Sequence, residues 1–145
     1  MTTDGLDDAT IRMVLTSTRR VALVGASNKP DRAAHEIQGF LQARGYEVTP
    51  VNPGLAGQNL QGRLAVATLA AAGPLEMVDV FRASEHVGPV MDEAIRLGAR
   101  VVWLQLGVVD HVAAARGRVA GLTVVMDRCP LIETRRLGLG PIAPA

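Results

Sequence analysis

The stretch Val21-Ala-Leu-Val-Gly-Ala-Ser-Asn-Lys-Pro-Asp-Arg32 carries four apolar residues into Gly25, Ala26 and Ser27, with Lys29 and Arg32 close behind. Those residue types suit an anion. Glycine lets main-chain N–H groups approach a phosphate closely, serine adds a hydroxyl donor, and a helix starting just beyond aims its positive end at the same point. Arg32, with Lys29 a weaker second, supplies charge, and arginine's forked donors match phosphate oxygens. Each later apolar run also ends in polar, cationic or glycine residues: Asn52-Pro53, Phe81-Arg82, Gln105-Leu106-Gly107 and Asp127-Arg128-Cys129. Recognition of a phosphorylated small molecule is the chemistry these residues suggest.

Signals for catalysis are thin. No pair of carboxylates shares a motif, no Ser-His-Asp order stands out, and neither H-x-x-x-H nor C-x-x-C occurs to hold a metal. His35 falls one turn past the candidate phosphate loop; His86 and His111 begin helices and read as surface residues. Cys129, beside Arg128, has latent reactivity: a cation next to it favours the thiolate, although a small buried hydrophobe is the commoner role. Asp127 either orients Arg128 or caps a turn. Trp103, among apolar neighbours, reads as core.

The elements that must position these residues follow from hydrophobic spacing. Asp7 to Thr16 reads as a leading helix capped by Asp7 or Asp8. Val21–Gly25, Glu47–Asn52, Met77–Phe81, Val101–Leu104 and Leu122–Met126 read as strands. Ala33–Arg44, Ser84–Leu97 and Asp110–Val119 read as helices, the first stopping at Gly45 and the second N-capped by Ser84. Pro53–Gly62 is loop, Ala65–Ala72 a short helix, and the tail from Cys129 irregular. Uniformly apolar strands alternating with helices specify a parallel sheet covered on both faces. The expected fold is α/β: a doubly wound, Rossmann-like, five-stranded parallel sheet in a single three-layer domain over residues 1–145, with its core at about 20–137. In such sheets ligands bind beyond the carboxyl ends of the strands, where strand order reverses, and every polar cluster named above follows a strand.

Whole-chain properties narrow the ligand class. At 145 residues the chain is one domain by length, with 48% hydrophobic and 20% charged residues, the balance of a globular protein. Aromatics are only 3%, so Val, Leu, Ile, Ala and Met must build the core. Net charge is +1 and the arginines are dispersed, which argues against a nucleic-acid or membrane surface. No apolar run approaches the roughly 20 residues of a membrane span. The acidic start MTTDGLDDATIR is unlike a secretory signal, and a single cysteine precludes an internal disulfide framework. A cytoplasmic protein, monomer or weak homodimer, is the simplest expectation.

VALVGAS, GYEVTPVNP (Gly45–Pro53), VDVFR (Val78–Arg82), VVWLQLGV (Val101–Val108) and VVMDRCP (Val124–Pro130), in that order, resemble the small stand-alone CoA-binding proteins. Those proteins are similar in turn to the CoA-binding domain of the succinyl-CoA synthetase alpha chain. The resemblance spans about Arg20 to Leu137 and implies coenzyme A or an acyl-CoA as ligand. It implies phosphate contacts from Gly25, Ala26, Ser27, Arg32 and more weakly Lys29. Asn52 and Pro53 would then shape the adenosine side, Phe81 and Arg82 would cover the nucleotide or the start of the pantetheine arm, and Gln105, Gly107 and Cys129 would lie along the crevice. Ala33-Ala34 follow Arg32 where family members often carry Pro and Ser or Gly, so a hydroxyl that could cap the helix or reach a phosphate is missing at position 34. The 3′-phosphate of CoA calls for more cations than NAD does, and Arg32, Arg82 and Arg128 are available, with at least one expected to touch no ligand. Asn52 and the single glycine of the first turn also depart from the dinucleotide fingerprint. Non-catalytic binding is the leading expectation. A CoA-dependent enzyme (a thioesterase or ligase partner, using His35 or Cys129) and an NAD-binding redox sensor are the alternatives.

Overall fold

The computed structural model describes residues 2–142. Helix α1 (Asp8–Ser17) is capped by the Asp7 carboxylate, which accepts from Thr10 N, and buries Ile11, Val14 and Leu15. Strand β1 (Arg20–Val24), helix α2 (Ala33–Ala43), strand β2 (Glu47–Val51) and strand β3 (Met77–Val80) follow. Then come α3 (Val87–Arg96), β4 (Val101–Leu104), α4 (His111–Val119), β5 (Thr123–Val125) and α5 (Pro130–Arg136). The strands pair in parallel in the order β2-β1-β3-β4-β5. The chain steps outward from β1 to β2, then returns past β1 to lay down β3, β4 and β5. Strand order therefore reverses between β1 and β3, and the loops leaving these two strands diverge to open a crevice.

Helices α1, α2 and α5 cover one face through Ile11, Leu15, Ile37, Leu41 and Leu131, packed on Leu23 and Trp103. Helices α3 and α4 cover the other through Val87, Met91, Ala94, Ala113 and Ala114, packed on Val78, Val102 and Val124. The α/β doubly wound, three-layer architecture is the one the apolar runs predict. Among the described residues no helix is long and apolar enough to cross a membrane.

Four local expectations are corrected. Of Ala65–Ala72 only Ala70–Ala72 turns, as a 3-10 helix. Val66 instead bridges Val51 in parallel, beside a small antiparallel ladder of Asn59–Leu60 on Arg63–Leu64. Ser84 does not cap a helix: its Oγ accepts from Val109 N at 2.9 Å and so pins the loop after β4. The segment after Cys129 is not irregular throughout, because Pro130 starts α5 with φ preset for a first helical turn. Beyond α5 the backbone is held as well, with Ile142 N donating to Arg44 O and the Arg44 guanidinium to Leu139 O. The strands, finally, are not uniformly apolar. Asp79 stands in the middle of β3 with no exposed surface.

Candidate functional site

The crevice begins with Gly25. Its φ is +86°, and a Cβ there would lie 2.3 Å from the carbonyl oxygen of Phe81. A glycine is therefore what allows the end of β1 to touch the end of β3, where Phe81 N donates to Val24 O at 2.8 Å. The Gly25 and Ala26 amides are not free for a ligand, since both donate to Val51 O. The amides that remain open come later. Among the described residues, Ser27, Asn28, Ala33 and Ala34 have no acceptor for their N–H groups. Ala33 and Ala34 form the first turn of α2, whose N-cap residue Arg32 makes no capping bond with its side chain. An uncapped helix start leaves donors and positive potential directed outward. Position 34 lies inside this first turn rather than at the cap, so the hydroxyl missing there is not a lost cap.

Three hollows join along the carboxyl edge. The first, ≈ 470 Å³, is bounded by the 25–29 loop, Arg32, the start of α2 and Phe81. The second, ≈ 490 Å³, runs toward the end of β2 and is walled by Asn52, Pro53, Thr68, Leu69 and Arg82. The third, ≈ 510 Å³, opens on the far side of Phe81 toward Gln105, Leu106, Cys129 and Leu131. Gly25 and Asn52 belong to both the first and second hollows, Phe81 and Ala33 to both the first and third. The hollows therefore adjoin one another along this edge. Lys29, Arg32 and Arg82 are exposed on their walls, and none forms an ion pair among the described residues. Asp31, between Lys29 and Arg32, is not part of the wall.

The model of a family described as "CoA binding domain" matches residues 19–135. The chain belongs to that family. The chain is 38% identical over 122 residues to the uncharacterized protein YneT of Bacillus subtilis (strain 168), across 83% of this chain and 89% of that one. It superposes on a hypothetical protein from Pyrococcus horikoshii OT3 with TM-score 0.89 at 36% identity, covering 94% of this chain and 96% of the other. RSP, a Rex-family repressor, is similar in fold, with TM-score 0.56 at 15% identity over 88% of this chain and 60% of that protein.

Of the residues picked out in sequence, the fold brings Gly25, Ala26, Ser27, Lys29, Arg32, Asn52, Pro53, Phe81, Arg82, Gln105 and Cys129 onto the walls of these hollows. Gly107 lines none of the three; its amide donates to Asp127 Oδ1 at 2.7 Å, which shapes the turn after β4. Asn52 acts on its surroundings first. Its Nδ2 donates to Ala26 O and its Oδ1 accepts from Gly54 N, each at 2.8 Å, so it ties the first loop to the second.

Arg128 is the arginine that faces no cleft. It is 5% exposed, and its Nε and Nη2 donate to the two oxygens of Asp4 at 2.9 and 2.8 Å, with Glu133 at 3.3 Å. Burial pushes the Asp4 carboxyl upward, but bonds from Arg128, Met126 N and Leu6 N outweigh it and hold the group below its ordinary range. The cation expected to support a Cys129 thiolate is thus committed elsewhere. Asp127 caps the Gly107 turn and does not orient Arg128. Trp103 is core, with no exposed surface and its Nε1 donating to Arg128 O at 2.8 Å.

Sequence reasoning passed over Asp79. Its Oδ1 accepts from Gln105 Nε2 at 2.6 Å, and its Oδ2 has no partner among the described residues. Burial pushes its carboxyl up to about 7, and the Gln105 bond offsets this only in part. The signal was the odd residue in VDVFR: a carboxylate inside an otherwise apolar strand requires a partner or a proton.

Proposed function

We propose that this protein binds coenzyme A or an acyl-CoA across the carboxyl ends of its parallel strands, as a non-catalytic, cytoplasmic module. One observation carries the reading: the unpaired cations Lys29, Arg32 and Arg82 converge with the open amides of Ser27, Asn28, Ala33 and Ala34 on one crevice. Such a set suits a ligand with more than one phosphate group. The diphosphate would lie in the first hollow, and the adenosine in the second, beside the end of β2, as in other open α/β sheets. The third hollow, walled largely by Phe81, Leu106, Val108, Leu131 and Ile132, would then take the pantetheine arm. Membership of the CoA-binding domain family supports the same ligand.

Two groups were the candidates for catalysis. Cys129 lines the third hollow, whereas His35 lines none of the three. A base paired with the thiol end is therefore not part of the reading. Calorimetric titration with CoA, dephospho-CoA and NAD tests it. Tighter binding of CoA than of dephospho-CoA is the expected result. Binding of NAD but not CoA would overturn the reading, and hydrolysis of acetyl-CoA would replace the module with an enzyme.

A further inference from the structure

Phosphate recognition makes no use of Asp79, yet this carboxyl lies two residues before Phe81 and bonds Gln105, both of which line the third hollow. It lies on the central strand between Leu23 of β1 and Trp103 of β4, the same face that α1, α2 and α5 cover. Its one partner among the described residues, Gln105, is a polar group in an otherwise mostly apolar hollow. With the amide nitrogen turned to Asp79, the Gln105 carbonyl has no donor among the described residues and is left for whatever occupies the cleft.

Two of the arrangements open to a buried carboxyl and an amide present opposite ends of the amide to the cleft. The ionised carboxylate accepts from the amide N–H, as found here, and the amide presents its carbonyl to the cleft. The neutral carboxyl instead donates O–H to the amide carbonyl, and the amide turns over to present its NH₂. Asp79 would exchange one proton with solvent in passing between them. Because burial holds the group at about 7, both forms are accessible near neutral pH. Other ionisable groups leave the pair undisturbed. On the packed elements these are Asp8 and Arg12 of α1, His35, Glu36 and Arg44 of α2, Arg128, Cys129 and Glu133 around the start of α5, and Arg82 beyond β3. None hydrogen-bonds Asp79, and Arg128 and Glu133 are paired with each other and with Asp4.

We propose that Gln105, turned by Asp79, distinguishes a free thiol from a thioester at the end of the ligand's arm, an inference that rests on the coenzyme A reading above. A thiol is a donor and matches the carbonyl orientation. A thioester presents a carbonyl acceptor and matches the NH₂ orientation. Asp79 is the positioning residue: its carboxyl is about half protonated at pH 7, so binding of a thioester draws about half a proton from solvent onto it and binding of a thiol releases about half.

Calorimetry at pH 7 in two buffers of different ionisation enthalpy counts these protons for CoA and acetyl-CoA. Wild type should take up about one more proton with acetyl-CoA than with CoA, the full exchange of a single linked group. Asp79→Asn, which cannot ionise, and Gln105→Met, which cannot turn, should each abolish the difference. Should Asp79→Asn not fold, Gln105→Met carries the same test. Equal proton counts in wild type, or a difference that survives either substitution, overturn the switch while CoA binding stands. If neither ligand binds, the coenzyme A reading falls and the discrimination with it. A ligand-free readout separates the two failures. Fluorescence of Trp103, the single tryptophan and a cross-strand neighbour of Asp79, should titrate near pH 7 in wild type and not in Asp79→Asn. A flat wild-type curve overturns the switch.

Discussion

Replacing Asp79 with asparagine should change how stability depends on pH more than it changes the fold. In the unfolded chain the carboxyl ionises near its ordinary value of 3.8, whereas in the folded protein burial raises it to about 7. Between those values the native state holds a proton that the unfolded chain has released. Stability contributed by this group therefore falls as pH rises, by about 1.4 kcal/mol per pH unit, and levels off above the folded value. From pH 5 to 8 the group crosses two units of that window, which amounts to about 3 kcal/mol. Asparagine cannot ionise. It keeps an acceptor for Gln105, and whatever its uncharged nitrogen costs at the site of the unpaired Oδ2 is independent of pH. Urea denaturation of wild type and Asp79→Asn at pH 5, 6, 7 and 8 gives the difference between them, from which other titrating groups cancel. That difference should move in favour of the variant by about 3 kcal/mol across the series, with most of the change below pH 7. A difference constant with pH would show that Asp79 is ionised throughout, and the reasoning from its burial would be refuted.

Other substitutions test the frame and the crevice. Asp4→Ala should cost about 3–5 kcal/mol in denaturant titration, because it strands the buried Arg128 guanidinium, leaving Glu133 at 3.3 Å as its remaining carboxylate partner; a cost under about 1 kcal/mol would mean that the pair is not formed in solution. Gly25→Ala places a methyl 2.3 Å from Phe81 O at φ +86°, so it should destabilise by at least ~1–3 kcal/mol and weaken ligand binding, and an unchanged melting temperature would contradict the close approach of β1 and β3. Arg32→Ala should weaken CoA binding by about 1–3 kcal/mol with little effect on stability, since the side chain is exposed and unpaired; an unaltered dissociation constant would remove it from the site.

Much of the molecule was legible before any coordinates. The strands announce themselves because a parallel sheet covered on both faces needs apolar residues on both sides, as in Val21–Val24 and Val101–Leu104. A helix start was legible where the capping chemistry is local, as with Asp7 for α1, whose carboxylate accepts from Thr10 N. Local rules failed where a distant partner decided the outcome. Ala65–Ala72 reads as a helix but its Val66 pairs with the edge strand β2, and Ser84 has the look of a cap but bonds the loop after β4.

The amino-acid order alone determined the class of fold, the sequence of strands and helices, and the collection of glycine, serine and cations at strand ends, because each depends on residues within a turn or two of one another. Tertiary structure decided which of those groups are free to meet a ligand. Arg82 and Arg128 look alike in sequence, yet one lies open on the cleft while the other is buried against Asp4, 124 residues away along the chain. Asp79 reads locally as an intruder in a strand, and only the sheet, by sealing it from water beside Gln105, sets its proton and its partner. Charge in a protein is governed by solvation and by neighbours across the fold, and neither is written in the residues next to it.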